Sequence, residues 1–170
     1  EDEETSLLQN KKGSGTIFTK KTKEKIVLEA SHDHKKTRYI PENAPYLQKL
    51  GLAGKDGKIY DKSQDKYRQI NKYIEILDHL IKDLPTSKPI SIADMGSGKG
   101  YLTFALYDFL TNTRGHRIRM TGYELREDLV ATCYKSAIEC GFVGLAFQQK
   151  SIEDANIKDT DIVIALHACD

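Results

Sequence analysis

The sequence predicts an α/β protein: a parallel sheet with helices on its faces, preceded by a small β-containing appendage. Three observations lead there. From residue 89 onward, short apolar runs alternate with helix-like periodicities; that order argues for parallel strands joined by helices. A cluster of glycines stands where the first run passes into the first helical pattern, and an amphipathic helix comes immediately before it. The 170 residues are 39% hydrophobic, enough for one packed core, which excludes a wholly disordered chain.

Each element can be justified in turn. Residues 1–62 carry turn signals at Gly13 to Gly15, Pro41, Pro45 and Gly51 to Gly57, with strand-like runs at Thr16 to Thr19 and Lys25 to Ala30; they are expected to form the appendage. Residues 63–170 are expected to form the main domain. Within it Ile70, Tyr73, Ile74, Leu77, Leu80, Ile81 and Leu84 line one helical face, and Pro85 stops the helix. Pro89 to Met95 reads as a strand, and Tyr101 to Leu110 as a helix with Leu102, Leu106, Phe109 and Leu110 on one face. Arg117 to Leu125 is the second strand and Arg126 to Cys140 the second helix of this alternation, ended by Gly141. Gly144 to Lys150 and Asp161 to Ala168 are the third and fourth strands.

Composition narrows the function classes. Charged residues make up 30%, mean hydropathy is −0.53, and no apolar run approaches the roughly 18 residues of a membrane helix, so a soluble cytoplasmic protein without membrane partners is expected. EDEETSLLQN is acidic and does not read as a signal peptide. Cys133, Cys140 and Cys169 form no CxxC pair, which favours a reducing compartment and gives no support to cysteine-held zinc. His32 and His34 flank Asp33 without further ligands at useful spacing, so no metal is expected. Charge is unevenly spread: residues 1–10 hold four acids and no base, whereas in 11–38 nine Lys or Arg stand against Glu24, Glu29 and Asp33. A localised basic excess interleaved with Phe18 and Tyr39 suits a nucleic-acid backbone and its bases; a solvated surface explains the same run.

The stretch SIADMGSGKGYLTFAL carries the most chemistry, because glycines let a ligand approach the backbone with no Cβ in the way. A phosphate-binding P-loop fails at two places, where Ala93 and Gly100 stand instead of Gly and Ser or Thr. A dinucleotide loop is weakened by Tyr101, where a third small residue belongs. What remains is acid-x-Gly-x-Gly-x-Gly, from Asp94 through Gly96 and Gly98 to Gly100, followed by Glu124 in GYELRED. In these residues the chain resembles the class I S-adenosylmethionine-dependent methyltransferases.

The resemblance implies a Rossmann-like sheet of strand order 3-2-1-4-5-7-6, of which this chain holds the first four strands, so that a longer protein is expected. It implies S-adenosyl-L-methionine as cofactor, held by Asp94, Gly96, Ser97, Gly98, Gly100, Glu124 and Leu125, with Glu124 taking the ribose hydroxyls and Ser151 and Ile152 the adenine. A carboxylate suits two neighbouring hydroxyls because it has two acceptor oxygens. At the end of the fourth strand many amine-methylating members have Asn or Asp before two prolines; here stand His167, Ala168, Cys169 and Asp170. That His-x-Cys arrangement resembles a tRNA ribose 2′-O-methyltransferase family, and makes RNA the preferred acceptor. His167, Cys169 and Asp170 are the catalytic candidates: His167 as base or as orienter of Asp170, Cys169 as packing or as a thiolate nucleophile. Competing readings are a protein or small-molecule acceptor, a nicotinamide-dependent oxidoreductase, and a non-catalytic module that keeps the fold.

Overall fold

The computed structural model describes the backbone of residues 3–9 and 15–21 and the full structure of residues 38–81 and 88–166. The expected strand at Lys25 to Ala30, the His32 to His34 group and the helix stop at Leu84 and Pro85 lie outside these residues, as do His167, Cys169 and Asp170. The chain divides into two compact units, Glu1–Thr37 and Arg38–Asp170.

In the first unit, β1 (Glu3–Gln9) pairs antiparallel with β2 (Gly15–Lys21). The polar β1 carries no strand signal of its own. Its register sets Glu3 opposite Lys21 and Glu4 opposite Lys20, so two acids stand across from two members of the basic run. Opposite charges at facing positions favour this register over a slipped one.

The second unit begins well before residue 63, and the expected boundary after residue 62 is displaced to Arg38. Ile40, Tyr46, Leu47, Leu52 and Ile59 are buried and belong to the same core as the sheet. The reason is aromatic packing. The short helix α1 (Pro45–Lys49) inserts Tyr46, wholly buried, against Phe104 at 5.9 Å and Phe142 at 6.1 Å. Fully burying a side chain of this size contributes about 1.5–3 kcal/mol, so these residues cannot be an independent appendage without leaving a hole in the core. A 3₁₀ turn (Asp61–Ser63) leads into α2 (Gln64–Ile81). Asn71 of α2 accepts from the Ile40 amide at 3.1 Å, and the Tyr67 hydroxyl donates to the Ile40 carbonyl, fixing the entry segment.

The periodicity places Leu80 on the buried face of α2, but Leu80 is 73% exposed. Tyr67, Ile70, Ile74 and Asp78 are the most buried residues of that face, a carboxylate taking the last place of the i, i+3, i+4 row, and Tyr73, Leu77 and Ile81 pack beside them as expected. Asp78 is tolerated there because Arg114 forks onto it, its Nε donating to Oδ1 at 2.8 Å. Arg114 reaches that point through a π-helical turn (Phe109–Thr113) ending α3 (Tyr101–Asp108), where the Arg114 amide bonds the Phe109 carbonyl at 3.0 Å. α3 buries Thr103, Phe104, Ala105, Leu106 and Tyr107 in succession, more than the one face expected, since it lies between the sheet and α2.

The sheet is wholly parallel, in the order β5 (Leu145–Gln149), β4 (Ile118–Glu124), β3 (Ile90–Met95), β6 (Ile162–Ile164). This is the α/β, Rossmann-like arrangement expected, with the expected relative order of four strands. One face, from Ile90, Ile92, Ile118, Met120, Leu145, Phe147 and Ile164, packs under the helices, including α4 (Glu127–Glu139). The other carries a smaller cluster of Ala93, Met95 and Tyr123, with Ala155 packed against it from the segment joining β5 to β6. The strand order reverses between β3 and β6. In open α/β sheets that switch opens a crevice at the carboxyl ends of the strands, which fixes where a ligand goes.

Candidate cofactor and active site

β3 delivers the chain into the glycine loop at that switch. Gly96, Gly98 and Gly100 have φ of 67°, 56° and 74°. Three alternate left-handed residues are open to glycine at little cost, and they turn the chain into α3, whose N-cap is Gly100. The loop is tied down on each side: the Ser97 amide donates to the Tyr123 carbonyl at 2.9 Å and the Gly100 amide to the Ser97 carbonyl at 2.9 Å. Beneath it Gly122 leaves a notch, where an added Cβ would lie 2.7 Å from the Phe147 ring and 2.9 Å from Ser97 Oγ.

Glu124 closes β4 beside this loop. Its Oε2 accepts from the Gly98 amide at 2.9 Å, and its Oε1 from the Arg126 amide at 3.1 Å and Arg126 Nε at 3.3 Å. Burial pushes the carboxyl up, but hydrogen bonds from Arg126 and Gly98, with the Arg126 charge, outweigh it, and the pKa falls below the ordinary value. Asp94 has a different place from the one expected of a ligand contact alone. It is 6% exposed, and its Oδ2 accepts from the Thr103 hydroxyl at 2.5 Å, bracing the end of β3 to the first turn of α3.

The structure brings Asp94, Gly96, Ser97, Gly98, Gly100 and Glu124 together. Leu125 follows Glu124 and is 65% exposed, while its carbonyl accepts from Gln149 Nε2 at 3.0 Å. Ser151 and Ile152 follow β5, joined to the end of β4 by the Lys150 amide on the Glu124 carbonyl at 3.2 Å. The Ser151 hydroxyl is engaged with Asp154, donating to Oδ2 at 2.6 Å and accepting from the amide at 3.1 Å. Cys133 is buried behind the loop, its Sγ 3.8 Å from the Gly98 carbonyl oxygen, and burial followed by the Glu124 charge pushes its thiol up to about 12; it packs in the core.

An open cleft lies over the loop, lined by Lys66, Asp94, Met95, Gly96 to Lys99, Tyr101, Leu102 and Leu166. Sequence reasoning missed Lys66 and Leu166, and treated Tyr101 merely as an obstacle. The signal for Lys66 was present: it stands one turn ahead of Ile70 on the inward row of α2. Among the described residues no three His, Cys, Asp or Glu side chains gather to hold a metal ion. No helix among them is long and apolar enough to cross a membrane.

The model of a methyltransferase domain family matches residues 65–170 of the chain. The chain belongs to that family. Its sheet and loop are those of the class I S-adenosylmethionine-dependent methyltransferases, and S-adenosylmethionine is the methyltransferase's cofactor. No curated protein matches the chain in sequence. Solved structures with some likeness to this methyltransferase include an RNA methyltransferase from Salinibacter ruber in complex with S-adenosyl-L-homocysteine, at 26% identity and TM-score 0.40 over 54% of this chain. The CMeT domain of the citrinin polyketide synthase gives 21% and 0.47 over 74%, and the YcgJ protein of Bacillus subtilis 21% and 0.42 over 56%. The chain spans 56%, 40% and 38% of these three.

The residues present fit the cofactor on the geometry alone. The loop's backbone is exposed over the cleft without Cβ atoms, and Ser97 Oγ is a buried polar atom without a hydrogen-bond partner among the described residues. Glu124 has lone pairs left beyond its bonds to Gly98 and Arg126, since a carboxylate offers about four acceptor sites.

Proposed function

We propose that the protein transfers the methyl group of S-adenosylmethionine to RNA. The observation that carries the donor side is the bond from the Gly98 amide to Glu124, which sets a ribose-type acceptor against the glycine loop at the switch point of the sheet. The bound cofactor would supply an electrophilic methyl on a sulfonium. The loop and Glu124 would bind and orient it, while Leu166 and Leu102 keep that part of the cleft apolar. His167, next in the chain after Leu166, would take the proton that a hydroxyl acceptor loses as its oxygen bonds to the methyl carbon and the methyl–sulfur bond breaks, its electron pair going to sulfur and leaving S-adenosylhomocysteine. Asp170 would orient it, and Cys169 would pack.

RNA is supported by the segregation of charge into residues 11–38, nine bases against three acids. The facing of Lys20 and Lys21 by Glu4 and Glu3 in the hairpin and the pairing of Arg38 with Glu42 offset part of that excess and leave Lys11, Lys12, Lys23, Lys25, Lys35 and Lys36 as its remainder.

Calorimetry with S-adenosylhomocysteine and with NAD tests the donor side; preferential binding of NAD overturns it. Transfer of labelled methyl to bulk RNA, using the full-length protein, tests the acceptor. His167→Ala should lower turnover by about 10²–10⁴-fold and Cys169→Ser should retain most of it. A stable protein–RNA adduct that depends on Cys169 would reverse those roles.

A further inference from the structure

The helical run from Asp61 through α2 carries several cations, and two are matched to acids on the helix itself: Arg68 with Asp65, and Lys72 with Glu75 at 3.0 Å. Lys62 and Lys66 differ. Among the described residues neither forms an ion pair with a carboxylate; Lys62 stands 5.9 Å from the centroid of the Tyr60 ring and Lys66 5.9 Å from that of Tyr101. Asp61 and Asp65 are one position away from them, a spacing at which helical side chains do not face each other. An ammonium held over an aromatic face keeps its donors available to an anion in front of it.

Lys66 lines the cleft with Tyr101 and with the exposed Lys99 of the glycine loop, which likewise has no ion pair among the described residues. Lys62 precedes Lys66 by about one helical turn and, with Tyr60, extends this surface beyond the cleft; both are exposed, Tyr60 by 46%. Asp94 is the one acid lining the cleft among the described residues, and it is buried and accepts from Thr103. The surface is therefore cationic, with aromatic rings set between its charges. That composition suits a single strand: ammonium groups meet phosphates, and a ring face stacks on a base of any sequence. A duplex keeps its bases stacked inside and offers a tyrosine no face. We propose that Tyr60, Lys62, Lys66 and Lys99 lead a single-stranded stretch of RNA into the cleft, Tyr60 stacking on an unpaired base and the lysines holding phosphates. The inference rests on the RNA reading above and deepens it, since none of these residues belongs to the basic run 11–38.

Fluorescence anisotropy on the full-length protein, with a labelled single-stranded RNA and the same sequence as a duplex at several salt concentrations, separates the outcomes. Tyr60→Ala should weaken the single strand by about 5- to 150-fold, the range for one stacked base, whereas Tyr60→Phe keeps the ring and most of the affinity. Lys62→Gln should reduce the log–log salt slope by about 0.7, one phosphate contact on a single strand. Neither residue lines the cleft, so calorimetry with S-adenosylhomocysteine should give the wild-type affinity in both variants. RNA binding unaltered by Tyr60→Ala and Lys62→Gln would overturn this surface and leave the RNA reading standing. So would a preference for the duplex, or an equal loss of RNA and S-adenosylhomocysteine, which would make the two residues structural. Failure of the wild-type protein to bind RNA in either form would overturn the RNA reading as well.

Discussion

Glu124 performs two tasks that draw on the same two oxygens. It holds the Gly98 amide, and so the shape of the loop, and in the proposed function it is also the acceptor offered to a ribose. Glu124→Ala should weaken S-adenosylhomocysteine by about ten- to a hundredfold in calorimetry, through the lost charged acceptor and a loosened loop. Acid separates the tasks. Because the native carboxyl is more acidic than its ordinary 4.5, the unfolded chain binds more protons just below that value. The contribution of Glu124 to stability is therefore fully present above pH 4.5 and is lost as pH falls through the native pKa. Denaturant melts from pH 6 to 3 should show a smaller decline for Glu124→Gln than for the wild type. An identical decline would mean that the bonds from Gly98 and Arg126 contribute nothing to folding.

The elements show which features local sequence can declare. β3, β4, α4 and most of α2 were legible, because each repeats apolar residues at its own period over several residues. β1 was not: its partner, not its composition, makes it a strand. The inward Asp78 was equally hidden, since the residue that makes it tolerable stands 36 positions away. Arg114→Leu should cost about 1–3 kcal/mol in chemical denaturation by leaving a buried carboxylate, with the half-exposed arginine keeping the figure modest. Adding Asp78→Leu should recover most of it. In β4, Gly122→Ala forces the Phe147 ring and Ser97 apart; a loss of about 1–3 kcal/mol is expected, together with weaker S-adenosylhomocysteine binding. A stable variant with unchanged affinity would show that the notch is not needed.

Across the whole molecule, the glycine loop and its acid could be read in order along the chain, whereas the wall around them could not. Tyr46 and Leu47 lie in a five-residue helix too short to show a period, yet both are fully buried against elements far along the chain. The cleft likewise joins α2 to the far end of β6 through Lys66 and Leu166, a meeting made by topology. The same topology orders events in time. β3 and β4 are linked by α3 alone, but β6 meets β3 only after the chain has run through α4 and β5, with Ser91 bonded to Asp161 across 70 residues. Closing the longer loop costs more entropy, and β6 contributes only three residues in return. β6 should therefore dock last during folding and open first in the native state, with its amides exchanging hydrogen ahead of those of β3 and β4. The cleft's Leu166 lining is thus its least permanent part, and a ligand bridging from Gly98 to Leu166 would slow that exchange by closing the final loop from outside the chain.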